Sequence, residues 1–448
     1  MQMRVGKRLI VLTVLAALAT QALAKAQSSP AAAAATAAVT IPAASAPVSA
    51  AISAAAASAA TAAEPMADLI RRDLAVAATQ YAFLLENIKG KPGFPRTLDQ
   101  GAVKMVAVRD WTVGFFPGSL WYLAEATGEP AWRAAAERYT AATAPAKFDA
   151  SQHDLGFMLY CGFGNGLRLG AGSTYRDALM AGATTLVTRF NPKTATIQSW
   201  NVRKDKDWVF PVIIDNMMNL ELLMWAAKAS NEPHYRTVAV AHADTTLKHH
   251  FRDDGSSVHL VDYDPADGKV RSRVTVQGNA DGSAWARGQA WGLYGYTMMY
   301  RETRKPEYLQ QAQKIAAFII DHPRLPADKI PYWDFDDAAI PDAPRDSSAA
   351  AIISSALLEL SGMVEPAAAQ RYLGFAEQQL RSLSSPAYLA APNTNGGFLL
   401  KHATGHKPAR SEIDVPLIYG DYYFLEALLR YKARLAPPAK AVRPRQAG

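Results

Sequence analysis

Three times along this chain an apolar helical run stops and the next one starts with nearly the same signature. Thr127-Gly128-Glu129-Pro130-Ala131-Trp132 resembles Ser230-Asn231-Glu232-Pro233-His234-Tyr235, and both resemble Thr303-Arg304-Lys305-Pro306-Glu307-Tyr308. Proline suits the first turn of a helix, because its fixed φ fits there and no amide hydrogen is required. The aromatic residue two positions later can pack back on the turn. Each junction therefore reads as one helix ending and its antiparallel partner beginning, an αα-hairpin.

A period of 3.6 residues extends this pattern to about twelve amphipathic segments. They run near 66–88, 116–127, 130–143, 153–168, 174–189 and 211–230. In the second half they run near 233–251, 285–303, 306–322, 346–363, 366–383 and 420–434. Six successive hairpins would close into an all-α, (α/α)6 barrel. An open solenoid is the alternative, but the repeat length is not constant as solenoids require. Short strands are expected only as decoration, around 258–263, 269–276 and 397–402.

The flanks read differently. Arg4, Lys7 and Arg8 precede an apolar run, Leu9 to Leu18, and then Ala22-Leu23-Ala24, the layout of a signal peptide over residues 1–24. It is too short and wrongly flanked for a stable membrane span. Residues 25–63 are mostly Ala with Ser, Thr and Pro, which offers no large side chains to bury and reads as a loose linker. That leaves residues 64–434 as one catalytic-size domain and residues 435–448 as a basic, Pro-containing tail. The formal charge of +7 lies wholly in the flanks, on Arg4, Lys7, Arg8, Lys25, Lys440, Arg443 and Arg445. The domain itself is neutral, with no global basic excess of the kind nucleic-acid binders carry. Cys161 is the single cysteine, so no intrachain disulfide can form and stability must come from a large apolar core. Exported after signal cleavage, the product is expected to be periplasmic or secreted, free of the membrane, and monomeric.

Three segments concentrate aromatic, glycine and polar residues beyond what a plain core needs. They are Arg109 to Gly118, Gln152 to Phe157, and Gln277 to Trp291. Loops dense in Trp and hydrogen-bonding groups suit sugars, which have apolar faces and hydroxyl edges; helix caps and packed aromatics would produce the same composition. Asp215 stands in an otherwise almost wholly apolar run from Pro211 to Trp225. Desolvation there would raise its pKa and let it hold a proton near neutrality. A helix N-cap is the competing reading. Asp154 begins another predicted helix and has the same two readings; together the two would make the paired carboxylates of sugar chemistry. The nine histidines include no HExxH, and neither His249-His250 nor His402/His406 has partners at convincing ligand spacing. No metal or other cofactor is expected.

Taken together these segments resemble the unsaturated glucuronyl hydrolases, glycoside hydrolase family 88. The motifs are DWTVGFFPGSLW at Asp110–Trp121, HDLGF at His153–Phe157, IIDNMMNL at Ile213–Leu220 and QGNADGSAWARGQAWGLYG at Gln277–Gly295. YWDF at Tyr332–Phe335, RDSSA at Arg345–Ala349 and GDYYFLEALLR at Gly420–Arg430 follow in order. The resemblance implies an (α/α)6 barrel, Asp215 as general acid and base, and Asp154 as its carboxylate partner. It also implies substrate contacts at Trp111, His153, Trp200, His259, Gln277, Trp285, Arg287 and Trp291. Arg287 would hold the uronate carboxylate or tune an aspartate, unless it is a structural ion pair. The substrate implied is an unsaturated uronyl oligosaccharide left by a polysaccharide lyase. Val276 stands where some members have His, and residues 401–407 lack the serine pair of sulfate-recognising members. The rival functions are an unsaturated rhamnogalacturonyl hydrolase, an inverting glycosidase on saturated sugars, and a non-catalytic sugar-binding barrel.

Two expectations follow directly. N-terminal sequencing of exported protein should begin at Lys25, with Gln27 as the alternative; an intact Met1 would rule out the signal reading. Turnover should survive exhaustive treatment with EDTA, and loss of activity restored by a divalent ion would overturn the assignment of the site.

Overall fold

A computed structural model describes residues 64–436. The expected signal peptide and linker, and all but the first two residues of the tail, lie outside the described residues. Among those described, the helices fall into two sets. One set comprises Phe115–Thr127, Gly156–Gly164 with its continuation Asn165–Arg168, Asn216–Ser230, Ala286–Thr303, Ser347–Leu360 and Ile418–Leu435. Each packs on the next and the last packs on the first, which closes a ring. The second set, Met66–Asn87, Pro130–Thr143, Ser173–Val187, Pro233–His249, Pro306–Asp321 and Pro366–Leu383, lies outside it. This is the expected (α/α)6 barrel, and the two sets differ as their positions demand. Ser347–Leu360 is buried at every position except Glu359. Its outer partner Pro366–Leu383 buries only one stripe, Tyr372, Phe375, Ala376, Gln379, Leu380 and Leu383. A helix that is apolar all round belongs inside, and one with a single stripe belongs at the surface. Glycine lets the inner helices close up, since a Cβ at Gly295 would lie 2.5 Å from Met217 Cβ.

The repeated junctions share one construction. The helix ends on a left-handed residue, Gly128 (φ 73°), Asn231 (φ 61°) or Arg304 (φ 59°). The hydroxyl just before it, on Thr127, Ser230 or Thr303, donates to the carbonyl four residues back and accepts the amide of Glu129, Glu232 or Lys305. Proline then opens the outer helix, and Trp132, Tyr235 and Tyr308 are buried against it. The hydroxyl thus satisfies a helix-end donor that would otherwise be orphaned.

Three expected elements change. The helix expected over 211–230 begins only at Asn216, because Pro211–Ile213 pairs with Leu260–Tyr263 as an antiparallel strand, joined by Val270–Val274. The helix expected from His153 starts at Gly156 and is π-wound to Gly164, where four glycines between 156 and 166 weaken α-helical preference. The strand expected at 397–402 is instead a turn with Gly396 and Gly397 at positive φ, and the strand is Ala403–His406, paired with Ser411–Val415. The hairpin of Phe94–Asp99 with Ala102–Val106 was not anticipated. Among the described residues no helix is long and apolar enough to cross a membrane.

Candidate active site

All six inner helices present their N-terminal ends to one mouth of the ring. Trp111, Asp154, Asp215, Arg287, Asp346 and Tyr419 all lie within five residues of such an end. A cavity of about 480 Å³ opens there, lined by Trp111, His153, Asp154, Trp200, Asp215, Gln277 and Arg287 among others. The short strands aim the residues. Pairing of Ile213 with Leu260, and the Ile214 N–H bond to the His259 carbonyl (3.0 Å), set Asp215 beside His259. A bridge between Gln152 and Trp200 brings the Asp154 segment under the Trp200 loop.

Asp215 occupies the N-cap position of its helix, yet its side chain makes no cap hydrogen bond and its backbone is already helical. The capping reading therefore fails for Asp215, whereas Asp346 does cap, accepting from Ser348 N and Ala349 N. Burial pushes the Asp215 carboxyl up to about 7, against the charge of Arg287 and the indole N–H of Trp291. Asp154 rises to about 8, through burial first and the charge of Asp215 second. The two carboxylates titrate as a pair, each opposing the charge of the other in a buried site.

Each acid has its own imidazole. His259 Nδ1 accepts the N–H groups of Val276 (3.0 Å) and Gln277 (3.4 Å), so the ring proton sits on Nε2, 3.8 Å from Asp215 Oδ2. His153 Nε2 lies 3.5 Å from Asp154 Oδ2. Burial drives both rings down to about 3, so they stay neutral donors near physiological pH. Arg287 is fully buried, and its guanidinium spans Asp346 (3.0 Å), the Thr404 carbonyl and the Gly405 carbonyl (both 2.5 Å). It also lies over the rings of Trp285 (4.5 Å) and Tyr419 (5.4 Å). It therefore combines two of the roles weighed from sequence, a structural ion pair and a charge that tunes Asp215.

The eight residues expected to contact substrate divide into two groups. Trp111, His153, Trp200, Gln277 and Arg287 line the cavity. His259, Trp285 and Trp291 stand behind it: Trp285 is edge-on to His259 (5.0 Å), and Trp291 packs on Phe157 (5.1 Å) and Tyr423 (5.5 Å). Those two tryptophans shape the pocket wall rather than offer a free face. Residues not anticipated also line it, notably Trp208, Asn201, Lys206 and His406. Trp208 lies 5.7 Å from Trp200 in a loop otherwise rich in charge, and that tryptophan pair was the available signal. Among the described residues no three His, Cys, Asp or Glu side chains group so as to hold a metal ion.

Comparison with known proteins identifies the family and the fold. A family model for Glycosyl Hydrolase Family 88 matches residues 94–432. The unsaturated glucuronyl hydrolase of Formosa agariphila is 48% identical over 344 residues, 76% of this chain and 85% of the relative. That of Bacillus sp. (strain GL1) is 34% identical over 327 residues, 72% and 86% of the two chains. A crystal structure of an unsaturated glucuronyl hydrolase specific for heparin superposes with a TM-score of 0.78 at 48% identity, covering 82% of this chain and 98% of that one.

The raised acids predict a pH profile. An acid with an elevated pKa is proton-loaded below that value and empty above it. Turnover should therefore fall as pH rises through about 7 to 8, the range in which Asp215 and Asp154 lose their protons. A rate that climbs steadily across that range, measured with saturating substrate, would contradict the assignment.

Proposed function

Because the chain belongs to glycosyl hydrolase family 88, we propose that it removes the unsaturated uronic acid from the non-reducing end of lyase-generated oligosaccharides, with Asp215 as the acid. The observation that carries this reading is a carboxyl group held protonated near neutrality by burial, in a pocket walled by Trp111 and Trp200. The substrate's C4=C5 double bond is conjugated to its carboxylate and attached to the ring oxygen, so it is an enol ether. Asp215 donates its proton to C4, and the positive charge at C5 is shared with the ring oxygen. The Asp215 carboxylate then takes a proton from the water that adds at C5. The resulting hemiketal opens and expels the remaining sugar, so the glycosidic bond is lost by rearrangement after hydration. Because the bond breaks in this way, the separation of the two carboxylates does not dictate anomeric outcome as it does in ordinary glycosidases.

Asp154 serves this cycle through its raised proton affinity: a neutral Asp154 spares the transient Asp215 carboxylate a like charge in a low-dielectric site. Arg287 stabilises the same transient carboxylate from the other side. Trp111 and Trp200 offer faces for sugar rings. Heparin-derived unsaturated oligosaccharides head the substrate panel, because the solved structure that is 48% identical to this chain is of an unsaturated glucuronyl hydrolase specific for heparin. We place the mature enzyme outside the cytoplasm on the strength of its signal-like start.

Asp215→Asn keeps shape but removes both acid and base. The rate should fall by more than the roughly 10²–10⁴ of a single lost proton transfer, with substrate binding retained. Loss of the conjugated double bond's ultraviolet absorbance reports turnover. In deuterium oxide the product should carry deuterium at C4. A fully active Asp215→Asn enzyme would sink this mechanism.

A further inference from the structure

The two acids sit on different segments of the ring, and a single buried amide joins those segments. Asn219 lies four residues after Asp215, one turn along the same helix face, and is fully buried. Its Oδ1 accepts the N–H of Phe157 at 3.0 Å. A backbone N–H can only donate, so this bond fixes which way the Asn219 amide is turned. Its NH₂ group then faces His153 Nδ1, at 3.4 Å. An amide NH₂ can only donate, so Nδ1 must be the lone-pair nitrogen and the ring proton must sit on Nε2. That is the nitrogen 3.5 Å from Asp154 Oδ2. The approach that allows this is built in at Gly156, where a Cβ would lie 2.6 Å from Asn219 Cα and 2.7 Å from its Oδ1.

We infer that Asn219 is a positioning residue of the reaction: through the Phe157 amide and His153 it selects the imidazole tautomer that presents a donor to Asp154. The inference rests on Asp154 and Asp215 being the working pair, but its first test does not need substrate. The chain Phe157 N–H, Asn219, His153, Asp154 transmits a direction that starts at a backbone amide, which cannot be reversed. On the Asp215 side two backbone amides, of Val276 and Gln277, set the His259 tautomer without an intermediary. The Asp154 side is therefore the one that a side-chain substitution can invert.

Asn219→Asp is the discriminating variant. An ionised carboxylate keeps the acceptor for Phe157 N–H but offers a second acceptor, not a donor, to His153 Nδ1, so the variant is read at the alkaline end of the pH range, where an acid at this buried position has lost its proton. The ring proton should move to Nδ1 and leave a lone pair against Asp154. Nitrogen-15 spectra of His-labelled full-length enzyme, with a His153→Gln sample for assignment, read the tautomer directly. Unsubstituted enzyme should show His153 protonated at Nε2 and not titrating from pH 5 to 9, and Asn219→Asp should show it protonated at Nδ1. Turnover should drop roughly 10²-fold or more, the scale on which a wrong histidine tautomer acts in a catalytic triad. KM should change little, and the alkaline limb of the pH profile should shift. Asn219→Ser, which can still donate and accept, should recover part of the loss. Nδ1 protonation in unsubstituted enzyme would overturn the inference even if no variant folded. So would Asn219→Asp with an unchanged kcat and pH profile. Inactivity of unsubstituted enzyme on every unsaturated uronyl substrate, with the tautomer as stated, would count against the function and leave the tautomer relay standing.

Discussion

The buried pair of Arg287 and Asp346 holds the active end of this barrel together. An unpaired guanidinium in such a place would be prohibitive, and the pair alone would not offset its desolvation. The surroundings support it: two carbonyls of the Ala403–His406 strand take two further guanidinium N–H groups, and Asp346 caps the Ser347–Leu360 helix through two amides. Three inner helices and one hairpin thereby meet on a single cation. Arg96 repeats the device on the hairpin's other strand, binding Glu412 and Asp110 just before Trp111. The geometry around Asp215 is consequently braced by ion pairs, of which Arg287–Asp346 is closed to solvent, and this favours a site formed before substrate arrives.

The barrel was legible in the sequence because its punctuation is local. A hydroxyl, a left-handed residue and a proline specify each repeated turn without help from distant contacts, and the apolar period gives the helices between them. Asp215 was legible for a different reason, as one charge in an apolar run. What sequence did not carry was direction. Pro211–Ile213 reads as helix by composition, but the Leu260–Tyr263 strand captures it, and only that pairing puts His259 beside the acid. The tryptophans show the same limit. Trp111, Trp200, Trp285 and Trp291 are alike in a string of letters, yet two face the cavity from loops and two support it from the start and the interior of the Ala286–Thr303 helix.

The coupling of the two acids was equally out of reach. Both carboxylates are buried to a similar degree, at 8% exposure each. Burial raises both, the charge of Arg287 works against it at Asp215, and the two carboxylates oppose each other's charge. A balance of this kind belongs to the folded arrangement, not to either residue.

The parallel setting of the inner helices makes the barrel an electrically directed object. Six helix starts converge on one mouth, and a helix start whose amides are not already capped is worth about 0.3–1 kcal/mol to a nearby anion. A ligand bearing a carboxylate enters at that end with the field. The opposite mouth collects the six helix ends, and there Arg168, Lys228 and Arg301 stand in the last turns, each paired with glutamate. The helix dipoles thus favour an anion at one face of the ring over the other, and the chain's topology biases approach by charge before any side chain recognises a sugar.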